Sequence, residues 1–272
     1  MLIKEKLLQH WIGNFYGYGS WQAKHWFVAY EEGGGDVPQE VADKINYFNA
    51  IHKDNTPTLC DIRDLYKKVN FQLSGPRADW FTNLYDYRFG DNAVLHGTWK
   101  NLIAFVHGYQ NKALPDLLTY QQSALTSVTL KSEALLRLYP LPAHNHAWHY
   151  SWLDMPGMPY LKSRTDYQDH VYPDRIDGIL RNIKEHQPKV VLMYGMNNID
   201  RLKKSVKEFY PGTQFKMIKA IPRQIPQLHC ADLPDTVLLI TTQRAALRHN
   251  RVETGFDWKE VGKLVSSYPR HR

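Results

Sequence analysis

Four short apolar runs, separated by segments with helical spacing, constrain the fold of this chain more than any other feature. Each run is largely apolar rather than alternating, which is typical of a strand buried on both faces of a sheet. The runs are residues 24–30, 134–144, 189–195 and 236–242. Helix-like segments between strands favour parallel pairing, with helices packed on the sheet. The sequence therefore predicts an α/β fold of three layers, α/β/α, with a central, mostly parallel four-stranded sheet.

The length and composition indicate a single soluble domain. A chain of 272 residues is long for one domain and short for two, so we expect one domain over residues 1–272. Turn-rich segments at 74–97 and 143–165 are expected to be loop insertions. No run of ~20 apolar residues occurs, and Cys60 and Cys230 form neither a metal spacing nor a disulfide framework. We therefore expect a cytoplasmic monomer that does not enter a membrane.

Two glutamates and three glycines follow the first predicted strand. Open parallel sheets bind their ligands beyond the carboxyl ends of the strands. At such a place Glu31 or Glu32 can activate a water or stabilise a cation, and Gly33, Gly34 and Gly35 let backbone N–H groups approach a ligand. The alternative is a surface turn with solvated acids. The glycine spacing fits neither a phosphate-binding Walker loop nor the dinucleotide fingerprint.

A proline-bounded loop with aromatic, histidine and amide side chains follows the second predicted strand. Asn145 and His146 can hydrogen-bond a planar base while neighbouring rings stack on it. His144, His146 and His149 are potential metal ligands, but no carboxylate or cysteine stands at a matching spacing, so we expect no metal. The alternative is an aromatic surface loop without a ligand.

Arginines surround an apolar residue after the fourth predicted strand. Arg244, Arg248 and Arg251 can bind phosphates, while Leu247 can enter a base stack. The alternative is a helix start with solvated arginines. The formal net charge of +7 is compatible with a polyanionic partner, and we expect that partner to be DNA.

Together, these strand-end segments resemble those of the uracil-DNA glycosylase superfamily, over roughly residues 21–262. Residues 29–35 stand in the place of the family's first motif, which holds a water-activating acid. Residues 243–248 stand in the place of its second motif, which carries a leucine wedge and an arginine. Residues 135–142 match the strand that usually delivers a base-reading asparagine. The resemblance implies a central parallel sheet and hydrolysis of the bond between a base and its sugar.

The chain departs from the family pattern at the residues that contact the base. Gln243 replaces the second-motif histidine that supports the departing base, and Arg137 or Leu138 falls nearest to the base-reading asparagine. These departures argue against plain uracil. They suit a bulkier base, such as the hypermodified cytosine of viral DNA on which a phage-defence branch of the superfamily acts.

The resemblance implies the following roles, with no cofactor. Glu31 is the preferred catalytic acid, with Glu32 as the alternative. The implied base pocket consists of Tyr30, Gly33, Arg137, Tyr139, Asn145, His146 and Gln243. The implied DNA-binding residues are Gly34, Gly35, Arg244, Leu247, Arg248, His249 and Arg251. Two other functions fit the same residues: a catalytically idle nucleic-acid-binding module, and a hydrolase of free nucleosides or nucleotides.

Overall fold

The computed structural model describes residues 3–33, 37–71, 78–143, 148–245 and 255–268. Within these ranges, eight strands form one mixed sheet. In chain order they are β1 (Phe15–Tyr18), β2 (His25–Glu31), β3 (Thr58–Cys60), β4 (Glu133–Tyr139), β5 (Val190–Tyr194), β6 (Phe215–Ile218), β7 (Leu228–Asp232) and β8 (Val237–Ile240). In the sheet they are ordered β3-β1-β4-β2-β5-β8-β7-β6.

Helices connect the strands, and most of them begin at a side chain that caps the first backbone N–H groups. They are α1 (Glu5–Asn14), α2 (Pro38–Ile51), α3 (Ile62–Tyr66), α4 (Leu84–Phe89), α5 (Gly97–Tyr109), α6 (Leu117–Ser123), α7 (Arg164–His186), α8 (Ile199–Phe209) and α9 (Trp258–Ser266). Ser163, for example, accepts a hydrogen bond from the N–H of Asp166 and so begins α7. None of the helices in the described ranges is long and apolar enough to cross a bilayer.

The four predicted strands are the four at the centre of the sheet. They correspond to β2, β4, β5 and β8, and each neighbouring pair among them is parallel. The predicted count of four is corrected to eight among the described residues, because β1 and β3 extend one side and β7 and β6 the other. The β1–β4, β7–β8 and β6–β7 pairs are antiparallel.

Strand β1 lies in a segment that the sequence predicts as a glycine-rich loop. Gly17 and Gly19 both have positive φ, at 137° and 107°. A Cβ on Gly17 would overlap the carbonyl oxygen of Leu135 in β4. The glycines therefore allow β1 and β4 to approach each other closely. Glycine is also common in turns, so the sequence alone does not distinguish this strand from a loop.

Helices cover both faces of the sheet. Neighbouring residues of β2 point to opposite faces, and Phe27 packs its ring against Phe105 of α5 at 5.6 Å between centroids. Trp26 instead contacts Trp21, at 5.1 Å, and His186 at the end of α7. Helix α5 thus lies on one face and α7 on the other, and the central strands are buried on both sides.

Helix α7 is longer than the sequence predicts. The amphipathic pattern of residues 175–187 predicts a helix over that range, but α7 begins at Arg164 and runs through Pro173. Arg175, only 1% exposed, donates from Nε to the carbonyl oxygen of Leu138 (3.1 Å) and from Nη2 to that of Arg137 (2.7 Å). Its guanidinium also lies 3.6 Å from the centroid of the Tyr16 ring. These contacts, two residues after Pro173, hold α7 against β4 and β1 where the helix lacks one backbone N–H.

The two segments expected to be loop insertions contain short helices. Helix α4 lies in the first, preceded by a 3-10 turn at Ala78–Trp80. The second contains 3-10 turns at His149–Trp152 and Pro159–Lys162. Both segments therefore have local structure.

Candidate functional site

The carboxyl ends of the central strands bring three chain segments to one edge of the sheet. Strand β5 lies between β2 and β8, so the ends of β2 and β8 are two strand spacings apart, about 10 Å. The turn after β5 is hydrogen-bonded to the segment after β8: Gly195 N–H donates to the Gln243 carbonyl oxygen and Met196 N–H to that of Thr241, each at 3.0 Å. We refer to this region as the carboxyl edge.

Glu31 lies at the end of β2 and is bound by the first turns of α7. Arg164 forms an ion pair with its carboxylate, with Nε 3.2 Å from Oε1. Gln168 Nε2 donates to Oε1 at 2.7 Å, and Tyr30 donates its hydroxyl to Gln168 Oε1 at 3.0 Å. The Glu31 side chain is 5% exposed, whereas Arg164 is 28% exposed. The acid is therefore covered by partners that themselves reach the surface.

Glu32 lies in a different and deeper environment. Its Oε1 accepts hydrogen bonds from Lys44 Nζ at 3.0 Å, the Tyr18 hydroxyl at 3.2 Å and the Tyr66 hydroxyl at 3.4 Å. Burial alone would raise the pKa of Glu32, but the charges of Lys44 and Arg137 outweigh it and hold the pKa below its usual value. Glu32 is therefore an ionised carboxylate in the protein interior at neutral pH.

Arg137, on β4, is a buried guanidinium with incomplete hydrogen bonding. It is 6% exposed, and its Nη1 donates to the Leu136 carbonyl oxygen at 2.9 Å. Its Nε has no hydrogen-bond partner among the described residues. Burial disfavours the charge, but Tyr194 and Glu32 more than compensate, so the pKa of Arg137 is raised and the residue stays cationic.

His96 caps α5 and contributes a neutral imidazole close to these charges. Its Nδ1 accepts from the N–H groups of Thr98 (3.2 Å) and Trp99 (3.4 Å), so the ring proton is on Nε2. Burial, followed by the positive charges of Arg88 and Arg137, lowers the pKa of His96 to about 3. The imidazole therefore adds no positive charge at neutral pH.

Aromatic side chains line the edge next to Glu31. The rings of Tyr30 and Tyr139 meet edge to face, with centroids 4.9 Å apart. Tyr150 is buried and donates its hydroxyl to the Pro142 carbonyl oxygen at 3.0 Å. Two residues further on, Trp152 is 80% exposed. The Tyr30–Tyr139 pair gives the edge an aromatic surface on which a planar ligand can stack.

The segment after β8 is held against α5 and the turn after β5. Asn101 Nδ2 donates to the Ala245 carbonyl oxygen at 3.1 Å. Arg244 is exposed, and its Cγ would lie 3.2 Å from a Cβ on Gly195, whose φ is +68°. Gln243 turns its side chain toward its own loop, donating from Nε2 to the Arg244 carbonyl oxygen at 3.2 Å. The side-chain amide of Gln243, which stands where the family pattern has a histidine, therefore hydrogen-bonds within its own loop.

The structure brings some predicted site residues together and separates others. Tyr30, Glu31 and Tyr139 are neighbours at the carboxyl edge, while Glu32 and Arg137 belong to the interior cluster. Gly33 has nothing within 4 Å of its Cβ position. Eight predicted site residues lie outside the described ranges: Gly34, Gly35, Asn145, His146, Leu247, Arg248, His249 and Arg251.

Sequence reasoning missed the partners of the two acids. Arg164, Gln168, Tyr18 and Tyr66 come from distant elements, and no motif marks them. Lys44 does carry a signal: it lies on the apolar stripe of α2, between Val41 and Phe48, and is 6% exposed. A lysine on a buried stripe predicts a carboxylate partner, because an unpaired charge there is costly.

The described residues line cavities at opposite ends of the sheet. One of about 670 Å³ opens at the carboxyl edge and is lined by Asn197, Asn198, Thr242 and His229, among others. A larger one of about 1130 Å³ lies near Thr236, at the amino end of β8. We place the candidate site at the carboxyl edge, since the convergent polar and charged groups are found there and the larger cavity is remote from them.

No family model, curated protein or solved structure matches the chain. Within the described ranges, no group of three or more His, Cys, Asp or Glu side chains is placed to hold a metal ion. The groups on which chemistry can be argued are therefore two ion-paired carboxylates, a buried guanidinium and the surrounding tyrosines.

Proposed function

We propose that this protein is a DNA N-glycosylase that hydrolyses the N-glycosidic bond of a flipped-out, modified or damaged pyrimidine. The observation that carries the proposal is the convergence at the carboxyl edge of Glu31, the Tyr30–Tyr139 pair and the segment bearing Arg244. We also infer that the fold is a divergent version of the uracil-DNA glycosylase fold. The parallel core β4-β2-β5-β8, with Glu31 ending β2 and Glu32 directly after it, supports this inference.

The reaction requires an anion beside the sugar. As the bond between C1′ and the base nitrogen breaks, its electron pair goes to the base and positive charge builds on the sugar. A carboxylate stabilises that charge and orients a water, whose oxygen bonds to C1′. The water loses one proton to the carboxylate, which gives it up to solvent, and the departing base anion takes one proton from solvent. Atoms and charges then balance without a cofactor.

Glu31 suits this role better than Glu32. The partners of Glu31, Arg164 and Gln168, lie in the first turns of α7, and the Arg164 side chain is 28% exposed. Lys44, which binds Glu32, is 8% exposed and is held within the core. A substrate can therefore reach the partners of Glu31 more readily than those of Glu32, which holds Lys44 and Arg137 in place in the interior.

A DNA partner agrees with the charge and surface of the chain. The formal net charge is +7, and Arg244 is exposed beside the carboxyl edge. Trp152, 80% exposed, offers a stacking face for an unpaired base. Extruding a base from the stack costs a few kcal/mol, which phosphate contacts and stacking can offset.

The proposal is tested by replacing Glu31 with Gln. Glu31→Gln should bind DNA as the parent protein does but release base roughly 10²–10⁴-fold more slowly, since the water loses its acceptor. The measurement uses DNAs with different base modifications, identifies released bases by mass spectrometry and counts alkali-labile sites. The matched control is Glu185→Gln on α7, whose side chain is 73% exposed. Parental rates for Glu31→Gln and also for Glu32→Gln would refute the proposed mechanism.

A catalytically idle nucleic-acid-binding module is the second candidate. It is favoured by the ion pairing of both acids, Glu31 with Arg164 and Glu32 with Lys44. Such a protein would shift DNA in a gel, with strong salt dependence, and would leave no alkali-labile sites in any substrate. The same incubations therefore separate the two functions.

A further inference from the structure

The cavity of about 1130 Å³ beside Thr236 is not used by the proposed reaction. It lies at the amino end of β8, whereas Glu31 ends the parallel strand β2 at the carboxyl edge. Its lining comes from the last turn of α7, the turn between α8 and β6, strands β6 and β7, the turn after β7 and the residues after α9. We refer to it as the distal cavity. Its volume is large enough for a small organic molecule.

Apolar and aromatic side chains form much of the lining of the distal cavity. The buried apolar residues are Ile183, Cys230 and Leu233. The rings of Phe209 and Tyr210 have centroids 4.9 Å apart, and Tyr210 donates its hydroxyl to the Leu180 carbonyl oxygen at 3.3 Å. Tyr268, which follows α9, adds a third ring. Such a lining suits the apolar body of an organic ligand.

The distal cavity also borders a carboxylate, that of Asp232 at the end of β7. Asp232 is half-buried, and its Oδ1 is shielded from water without a hydrogen-bond partner among the described residues. A carboxylate that has lost part of its hydration attracts a cation more strongly than one at an open surface, because the local dielectric constant is lower. Asp232 therefore favours a positively charged group in the cavity.

The charge of Asp232 acts on other side chains that line the distal cavity. Burial, with the charge of Asp232 as a second cause, raises the pKa of the Cys230 thiol to about 12. Burial, followed by the charges of Cys230 and Asp232, raises the pKa of Tyr268. The thiol and the phenol are therefore neutral at neutral pH, and the negative potential at this place comes from Asp232.

The other charged residues of the distal cavity lie at its rim. Lys184, Lys216 and Asp235 border it, and all three are exposed. Exposed charges keep their hydration, so pairing with a ligand there contributes little. Asp232 differs from them in being half-buried. It therefore determines which charge the cavity selects.

We propose that the distal cavity binds a small organic cation, with an ammonium or guanidinium group next to Asp232 and an apolar body among the aromatic side chains. The faces of the aromatic rings also attract cations, so the carboxylate and the rings favour the same ligand class. A neutral molecule of the same shape lacks the pairing with Asp232. The site is separate from the carboxyl edge and does not depend on the proposed function.

Three molecules with the same phenyl ring test the charge preference. Phenethylamine is cationic at pH 7, 2-phenylethanol is neutral and 3-phenylpropanoate is anionic. Each is titrated into the protein and followed by calorimetry. We expect phenethylamine to bind at least about tenfold more tightly than 2-phenylethanol, because charge-assisted hydrogen bonds are roughly twice as strong as neutral ones. Equal binding of these two, tighter binding of 3-phenylpropanoate, or no binding of phenethylamine at millimolar concentration would overturn the proposal.

A variant at residue 232 shows whether Asp232 selects the cation. Asp232→Asn keeps the shape of the side chain but removes its charge, so phenethylamine should bind only as tightly as 2-phenylethanol does. Asp200→Asn is the matched control, since Asp200 is 98% exposed and lies at the carboxyl edge. Unchanged amine binding in a folded Asp232→Asn protein, or an equal loss in Asp200→Asn, would refute the role of Asp232.

A second variant places the binding in the distal cavity. Tyr268→Ala removes one ring of the lining and should weaken the binding of phenethylamine and 2-phenylethanol alike. Thermal unfolding checks that each variant folds, and if Asp232→Asn does not fold, Tyr268→Ala decides. Parental binding of both molecules by Tyr268→Ala would refute the assignment to this cavity.

The outcomes also separate this inference from the proposed function. Glu31→Gln should bind phenethylamine as the parent protein does. Weaker binding in that variant would place the amine at the carboxyl edge and overturn the distal site. Failure to release base from any DNA, with phenethylamine binding that depends on Asp232, would refute the glycosylase and uphold the distal site.

Discussion

Glu31 and Glu32 are neighbours in sequence but have different partners. Glu31 is bound by Arg164 and Gln168, and Glu32 by Lys44 and two tyrosines. The sequence predicts acids at a strand end, because the apolar run and the glycines define that end. It does not predict the partners, since Arg164 lies 133 positions from Glu31 and depends on how α7 packs. Long-range pairing of this kind leaves no local pattern.

A third carboxyl, at the opposite end of the sheet, has unusual proton affinity. Glu133 begins β4, is 1% exposed, and accepts from the Tyr120 hydroxyl at 3.3 Å through Oε2. Its Oε1 has no partner among the described residues. Burial raises the pKa of Glu133 to about 7, so the protonated form predominates in the folded chain at pH values below that.

This shift predicts a pH-dependent loss of stability. A carboxyl whose pKa rises from 4.5 to about 7 on folding binds its proton more tightly in the native state. The contribution of Glu133 to the free energy of unfolding is complete below pH 4.5 and is lost as the pH rises to about 7. The loss amounts to at most about 3 kcal/mol. Urea unfolding at pH 5 and pH 8 should therefore show a smaller pH difference for Glu133→Gln than for the parent. The same difference in both proteins would contradict the prediction; Glu208→Gln, 65% exposed, is the control.

Helices α5 and α9 cross so closely that each places a glycine against the backbone of the other. A Cβ on Gly108 of α5 would overlap the Lys259 carbonyl oxygen of α9, and one on Gly262 of α9 would overlap that of Phe105. Each helix thus gives the other a glycine at the crossing. Neither glycine has positive φ, so the requirement is for space and not for backbone freedom.

Adding one methyl group at this crossing should be costly. We expect Gly108→Ala and Gly262→Ala each to lower the free energy of unfolding by about 1–3 kcal/mol, because the helices must move apart. Gly13 of α1 is the matched control: it has nothing within 4 Å, and alanine there should stabilise the helix by roughly 0.5–1 kcal/mol. Chemical denaturation measures all three. Stability at the parental level in the α5 or α9 variant would show that the crossing tolerates a wider separation.

A helix or strand can be predicted when its surroundings in the fold leave a local pattern in its sequence. Strands β2, β4, β5 and β8 are buried on both faces, so their apolar runs are continuous and are recognised directly. Strand β1 is mistaken for a loop because its segment contains glycines, which here allow the backbone to approach β4 closely. Helix α7 is misread because Pro173 normally breaks a helix, whereas here the Arg175 contacts compensate.

On the scale of the whole molecule, the sheet has a protected centre and a weaker rim. The central strands are buried along their length, whereas β6 has an exposed middle and pairs with β7 alone. We expect backbone amides of β2, β4, β5 and β8 to exchange only through global unfolding, and those of β6 to exchange through local opening. Hydrogen–deuterium exchange with peptide mapping measures this. Equal protection of β6 and β5 would contradict the expected gradient.

The carboxyl edge combines features that the sequence predicts with features that only the fold reveals. The strand order puts Glu31 next to Tyr139 and two strands away from the segment after β8, all at the carboxyl ends of parallel strands. The interior cluster around Arg137 was not predicted as a unit. It draws on β1, α2, α3 and α5, whose positions depend on the strands added to the side of β4.

Helix α7 binds Glu31 at its first residue and is anchored to β4 by Arg175, eleven residues or about 16 Å further along. Arg175 is buried and hydrogen-bonded to β4, so α7 is held in place. Freeing the Glu31 carboxylate therefore does not involve a movement of the helix. Release requires side-chain movements of Arg164 and Gln168, both in the first two turns of α7. Under the proposed function, a DNA phosphate that attracts Arg164 would weaken its ion pair with Glu31, so the carboxylate would become available in the DNA-bound state.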